Sequence, residues 1–392
     1  MTSRTRWLVF LVSTPLVALI AVGGILGASP AAQQAFPHLR IFHEVESLVY
    51  GAYVEEVDPD RVMDGAMRGL ADSLDSASAY LTPAEVSAID AGTKTPPAQV
   101  GLVVTRQYYL RVVGVRDDSP AARAGIRSGD LIRMIDGQAS RDISAPAGMR
   151  MLAGAPGTTV SLLVIRDNAA DPHEITLTRE VPKTDLAVGR TLAGGEAYVR
   201  VHSFAPGATA AIRKAVDGLK PKGGVILDLR DVADGPASEA IAAARLFVGT
   251  GTIATLAERG DARTETKAAA GDGALAMPVV LLTSNGTANA AEVFAAALKG
   301  HDRATLVGQP TAGLAAEQHL VRLPEGHGLW LTYARYLAAD GTPIHENGLV
   351  PDVAVPVPFV GFGEEPPPGD PVLDKGVEQV RQGKSGAGSG RP

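Results

Sequence analysis

LLTSNGTANAAEVFAAALKGHDRATLVGQPTAGLAAEQ, from Leu281 to Gln318, is the stretch on which the fold turns. Its start completes an apolar run, PVVLL from Pro278 to Leu282, which predicts a buried strand. A polar, Gly-containing turn follows, and then an Ala-rich helix. Asn285 or Thr287 is placed to cap that helix, Glu292 complements its first turn, and Gly300 ends it after Lys299. A strand, turn and helix of this kind aims backbone N–H groups at one point, where developing negative charge is held. Acyl-transfer sites are built in this way.

The stretch resembles the catalytic segment of the carboxyl-terminal processing (tail-specific) serine peptidases. In that family a Thr-Ala-Ser-Ala-Ser-Glu-like run carries the nucleophile at its first Ser, and a downstream Gly-Lys-Gly carries the lysine base. Thr287, Ala288 and Glu292 match the first run, and Arg303, Gly308, Thr311, Gly313 and Gln318 match beyond it. The nucleophile position is Asn289 and the lysine position is Leu314, at the family's separation. The resemblance further implies Gly235 and Ala290 as oxyanion-turn residues and Gln318 as a supporting one.

Those two exchanges remove the chemistry. A hydroxyl attacks the carbonyl while a desolvated, partly neutral lysine amine takes its proton. A carboxamide nitrogen is delocalised and not usefully nucleophilic, and leucine has no lone pair. A working enzyme would need a relocated pair, such as Thr287 or Ser284 with His301 or His319.

Composition narrows the alternatives. A chain of 392 residues has room for two or three domains, and 45% apolar with 20% charged residues suits a globular fold. With 36 basic and 43 acidic residues the net charge is -7, which offers no field for nucleic acid. The absence of cysteine excludes disulfides, thiol nucleophiles and thiolate metal sites. The eight histidines form no metal-ligand pair, so neither metal nor cofactor is expected. Arg4 and Arg6 precede the apolar Trp7 to Leu26, long enough for a hydrocarbon core of ~30 Å at ~1.5 Å per residue. Export is expected, with residues 1–33 a cleaved signal peptide or a membrane anchor. Ala28, Ala31 and Ala32 are small enough for cleavage.

The remainder reads as an α/β and α+β multidomain chain. Residues 34–92 predict a helical region, with Asp58 or Asp60 as a cap, ending in LDSASAYL. That ending resembles the family's Leu-Asp-Pro-His-Ser-Tyr-Leu segment at Asp75, Ser78, Tyr80 and Leu81. Residues 93–183 resemble a PDZ domain, a β-barrel-like module, through SPAARAGIRSGDLIRMIDGQ from Ser119 to Gln138. Such a domain takes an extended peptide on a sheet edge and holds its terminal carboxylate on a glycine-containing loop. Val100, Gly101 and Leu102 are the peptide-binding positions implied here, with Gln99 where related peptidases carry a further glycine.

Residues 184–360 predict an α/β core of the tail-specific peptidase type, by alternation of strands and helices. Leu227, Asp228, Leu229, Arg230 and Gly235 match the family's Leu-Asp-Leu-Arg-Asn-Asn-Pro-Gly-Gly, while Ala233 and Asp234 replace the Pro and first Gly. Asp234 either points inward and opposes an oxyanion or is a solvated turn residue. Residues 361–392 read as a flexible tail with room for a short helix. The expected function is an inactive envelope protein that binds polypeptide C-termini or envelope proteins. It would reach the membrane through its N-terminal segment and assemble with itself or with an active paralogue. The alternative is an active serine endopeptidase processing protein C-termini.

Overall fold

The computed structural model describes residues 30–90, 97–167, 172–182, 185–221, 223–260 and 262–386. The segment Trp7 to Leu26, and with it the expected signal peptide or anchor, lies outside them. Among the described residues no helix is long and apolar enough to cross a membrane. The chain divides into residues 1–66 and 67–392, and every site residue named above falls in the second unit.

Helix α1, Pro30–Ala52, exposes Leu39, Val45 and Leu48. Helix α2, Pro59–Asp72, begins at Asp58, whose Oδ1 accepts the Asp60 N–H at 3.0 Å. The expected helical region then contains a strand, β1, Ala79–Leu81, all three residues of which are buried. Three residues are too few for any periodicity to show. Helix α3, Pro83–Asp90, follows, with Thr82 and Glu85 accepting each other's backbone N–H at 3.4 and 2.8 Å.

The PDZ module comprises β2 (Ala98–Gln99), β3 (Leu102–Gln107), β4 (Tyr109–Val115), helix α4 (Pro120–Arg123), β5 (Leu131–Ile135), β6 (Gln138–Ala139), helix α5 (Ala145–Leu152), β7 (Ala153–Gly154), β8 (Thr159–Ile165) and β9 (His173–Thr178). Its larger sheet runs β3-β4-β5-β8-β9, which places β3 at an edge. Leu102, Leu110, Ile132, Ile135, Leu152 and Leu162 fill its core.

The α/β core continues with β10 (Ala187–Thr191), β11 (Ala197–Val201), helix α6 (Ala208–Leu219), β12 (Val225–Asp228), helix α7 (Ala237–Ala244), β13 (Thr252–Glu258), β14 (Arg263–Lys267), β15 (Val279–Thr283), helix α8 (Ala290–Gly300), β16 (Ala304–Gly308), β17 (Ala316–Arg322), β18 (Gly328–Leu337), β19 (Val353–Ala354) and helix α9 (Pro371–Gly386). The order is β10-β11-β12-β15-β16-β19, parallel from β11 onward. Strands β12 and β15 are buried along their whole length, as their unbroken apolar runs require. One face carries α6, α7 and α8 over Ile212, Leu227, Phe247, Leu281 and Phe294. Each fully buried side chain of this size contributes roughly 1.5–3 kcal/mol. A second, antiparallel sheet runs β1-β18-β13-β14, with β17 on β18.

Residues 361–392 are not a free tail over their described part. Helix α9 covers the other face of the parallel sheet, with Val372 and Val380 buried against Ile226, Val280, Leu282 and Val307. Val372, Val377 and Val380 share one helical face, a signal diluted by the polar residues between them.

Candidate functional site

The carboxyl ends of β12 and β15 define the site, as the crevice beyond the strand ends does in open parallel sheets. Helix α8 starts at Ala290 with Asn289 as its N-cap, later than Asn285 or Thr287 would place it. Thr287 is drawn away from capping because its hydroxyl donates to the Leu229 carbonyl at 2.8 Å. Asn289 adopts φ 51° and ψ -119°, a sharp strand-to-helix elbow that costs a non-Gly residue about 1–3 kcal/mol. Such an elbow lifts a nucleophilic side chain clear of its turn. Here the carboxamide is tied down, its Nδ2 donating to the Ala233 carbonyl at 2.9 Å.

Glu292 holds the elbow in place. Its side chain is fully buried, and Oε2 accepts the N–H groups of Asn289 at 3.1 Å and Leu314 at 2.7 Å. Oε1 accepts the Gly313 N–H at 2.6 Å and the Thr311 hydroxyl. One carboxylate therefore fixes residues 289 and 314 to each other. Burial pushes its pKa up, and these four donors pull against that shift. The Ala312 N–H to the Thr287 carbonyl, at 2.9 Å, closes the same loop onto the elbow.

The candidate oxyanion groups lie around this clamp. Ala290 occupies the first turn of α8, whose leading N–H groups have no partner within the helix. Gly235 has φ 102°, and a Cβ there would collide with the Phe204 backbone, so only glycine fits. Asp228, at the end of β12, is a structural brace. It accepts from Tyr198 Oη at 2.8 Å and from Arg230 Nη2 at 2.6 Å, and Arg230 reaches on to Asp370 before α9.

The PDZ module is seated on Leu314 and the Ala233 turn. Val113 of β4, with Val103 of β3 beside it, packs on Ala233, Ala288 and Leu314, and Leu314 is only 8% exposed. Gly114 lies so close that a Cβ would come within 2.7 Å of the Ala233 Cβ. Around this apolar contact, Arg116 pairs with Asp234, and Ser128 donates to the half-buried Asp231 at 2.6 Å. Asp117 takes Arg200 in a two-point pair at 2.6 and 2.9 Å, with His202 at 3.1 Å. Asp234 thus points neither inward at an oxyanion nor freely to solvent. The PDZ module neutralises it.

Cavities of about 930 and 650 Å3 flank the seat, and neither is lined by Asn289 or Leu314. Burial opposes ionisation of Asp117, but His202 and Arg200 hold its carboxyl well below the ordinary range. Because the folded value is depressed, this latch is fully present above about pH 4 and weakens as pH falls below it. Hydrogen exchange of the Val112 to Arg116 amides should therefore be flat from pH 7 to 5, after correction for intrinsic rate, and accelerate below pH 4.

The orientation of the loop at residues 99–102 of the PDZ module follows from peptide geometry. The Val100 carbonyl accepts the Ala121 N–H at 3.0 Å, and the Gly101 carbonyl accepts the Arg116 N–H at 2.8 Å. Across a trans peptide each following N–H points the opposite way, so those of Gly101 and Leu102 turn outward together. Gly101, at φ 85°, makes this possible, since a Cβ would run into Ser119. Gln99 is occupied in β2 and pairs with Glu180.

The residues offered as a relocated pair do not meet. His301 sits at the far end of α8, about 16 Å along its axis, bonded to the Thr252 carbonyl at 2.8 Å. His319 lies on β17 against the Tyr333 ring. Ser284 donates to Asp231 at 3.2 Å, and Gln318 reaches Thr332 at 3.4 Å. Sequence reasoning missed Val113, Arg116 and Ser128, which lie more than 100 residues from their partners with no local pattern to announce them.

Comparison with known proteins fits this geometry. A model of peptidase family S41 matches residues 196–355, and a PDZ model matches residues 111–166. The chain is 29% identical over 369 residues to a carboxy-terminal-processing protease of Bartonella bacilliformis, covering 91% of this chain and 84% of that one. It is 31% identical over 303 residues to a carboxyl-terminal-processing protease of Synechocystis, covering 74% and 70%. Among solved structures it is similar to the photosystem II D1 C-terminal processing protease, at 27% identity and TM-score 0.66, covering 78% of this chain and 85% of that one. With its PDZ module, parallel core and strand-elbow-helix site, the chain belongs to peptidase family S41, the family of the carboxyl-terminal processing proteases.

Proposed function

We propose that the chain is a non-hydrolytic member of its family, a binder of polypeptide C-termini in which the peptidase scaffold is kept and the dyad is lost. The observation that carries this reading is Leu314, which at the base position has no proton acceptor and is packed under Val113 of the PDZ module. Asn289 supports it, because its carboxamide is spent on the Ala233 carbonyl. The outward N–H groups at Gly101 and Leu102 supply the recognition of a terminal carboxylate. Export to the bacterial envelope belongs to the same proposal and rests on Arg4, Arg6 and the apolar run to Leu26. The exposed apolar residues of α1 support assembly, with a second copy or with an active paralogue.

The purified protein is expected to leave an unstructured casein substrate uncut, and Asn289→Ala to change nothing. Turnover that disappears on Ser284→Ala would instead establish a relocated nucleophile. Binding is tested with one apolar-ended peptide as free acid and as amide, where the acid is expected to bind at least tenfold more tightly.

A further inference from the structure

The edge of the PDZ sheet is open at one end and shut at the other. Strand β3 pairs with β4 alone among the described strands, so its outer side is the place where an added strand would lie. The backbone groups of Leu102, Val104 and Arg106 share that outward parity, because alternate residues of a strand face the same way. At the near end stand the outward N–H groups of Gly101 and Leu102. At the far end the chain's own Ser76 carbonyl has taken the position, accepting the Arg106 N–H at 3.2 Å and the Thr105 hydroxyl at 2.7 Å.

This plug is braced rather than loosely placed. Arg106 is 8% exposed and its guanidinium donates to the carbonyls of Ile143 and Arg141, both at 2.6 Å, just ahead of α5. The same side chain pairs with Asp72 at 2.8 Å, the last residue of α2. On the other side of the plug, Asp75 Oδ1 accepts the N–H groups of Ala77 and Ser78 at 2.8 and 2.6 Å. The segment from Asp72 to Ser78 is thus pinned across the mouth between β3 and α5, and an added strand that ran past Thr105 would collide with it.

We propose that this groove takes free polypeptide C-termini only about four residues deep, Ser76 closing it to longer strand addition. The free edge runs from Leu102 to Thr105, about 13 Å at ~3.3 Å per residue. The inference rests on the reading that the PDZ module binds polypeptide C-termini, and deepens it by naming the ligand as a short, fully free tail. An internal segment, or a C-terminus held in a strand of its own protein, would not fit.

The test uses fluorescein-labelled free-acid peptides ending Ser-Val-Ala-Val, preceded by zero, two, four or six residues of alternating Thr and Val, with anisotropy as the readout. For the unaltered protein the dissociation constant is expected to stay within twofold from four residues to ten. Thr105→Val and, separately, Asp72→Ala loosen the plug from its two sides, and each is expected to let the eight-residue peptide bind at least fivefold more tightly than the four-residue one. Affinity that climbs with length in the unaltered protein would overturn the proposal. A plateau in both variants would also overturn it, because the groove would then end for a reason other than Ser76. If acid and amide forms bind equally, or nothing binds, the underlying reading fails as well, a result distinct from a length dependence of carboxylate-specific binding.

Discussion

The double variant Asn289→Ser, Leu314→Lys is expected to hydrolyse an unstructured casein substrate slowly, where the parent protein does not. The backbone machinery of the site is intact. The elbow at residue 289 keeps φ 51° and ψ -119°, Gly235 keeps its positive φ, and Glu292 still ties the 314 loop to the elbow. On the proposed reading only side-chain chemistry is absent. A lysine at position 314 would lie among Val113, Ala233 and Ala288, where desolvation lowers an amine's pKa and suits it to act as a base. The single variants should remain at background, because a nucleophile without its base recovers almost nothing.

The double variant should still be restrained by the PDZ seat. Adding Arg116→Ala removes the ion pair to Asp234, a contact worth about 1 kcal/mol, and should raise turnover about fivefold by increasing the open fraction. A folded triple variant without turnover would mean that the N–H groups of Gly235 and Ala290 no longer converge on one point.

Leu314 and Asp234 now have a common explanation. Each is expected from the sequence to depart from the family pattern, and each touches the PDZ module, Leu314 through Val113 and Asp234 through Arg116. Under the non-hydrolytic reading proposed above, an apolar residue and a carboxylate at these places hold the two modules together.

Much of this was legible in the sequence, because the information is local there. The buried strand before residue 283, the helix that follows it, and the Ser119 to Gln138 pattern all lie within short windows, and side-chain periodicity reports them directly. The expectation that residues 289 and 314 stand at the dyad positions rests on something else, flanking landmarks at fixed separation. What was not legible depends on chain segments meeting from far apart. Asp234 finds Arg116 and Asp231 finds Ser128 through docking of one module on another, which no window contains. Capping shows the limit within a window. Thr287 looks like a cap until the Leu229 carbonyl claims its hydroxyl, and the helix then begins at Asn289 instead.

The largest loss of stability is expected from Glu292→Gln. Four donors converge on this carboxylate, two on each oxygen. A glutamine carbonyl can serve Asn289 and Leu314 while its NH2 group donates to the Thr311 oxygen, which already accepts the Leu349 N–H. The NH2 group then faces the Gly313 N–H, donor against donor, in a fully buried place. One unsatisfied buried donor and the repulsion beside it cost about 3 kcal/mol, roughly a 10 °C fall in the melting of the core. The effect should also depend on pH with a definite sign. Burial raises the folded pKa of Glu292 above its unfolded value, so its contribution is complete below about pH 4 and declines as pH rises through the folded value. The gap between parent and Glu292→Gln should accordingly narrow as pH rises, as measured by thermal unfolding monitored in the far ultraviolet over a pH series. Equal melting of the two proteins throughout the series would show that the clamp does not hold the elbow and the 314 loop together.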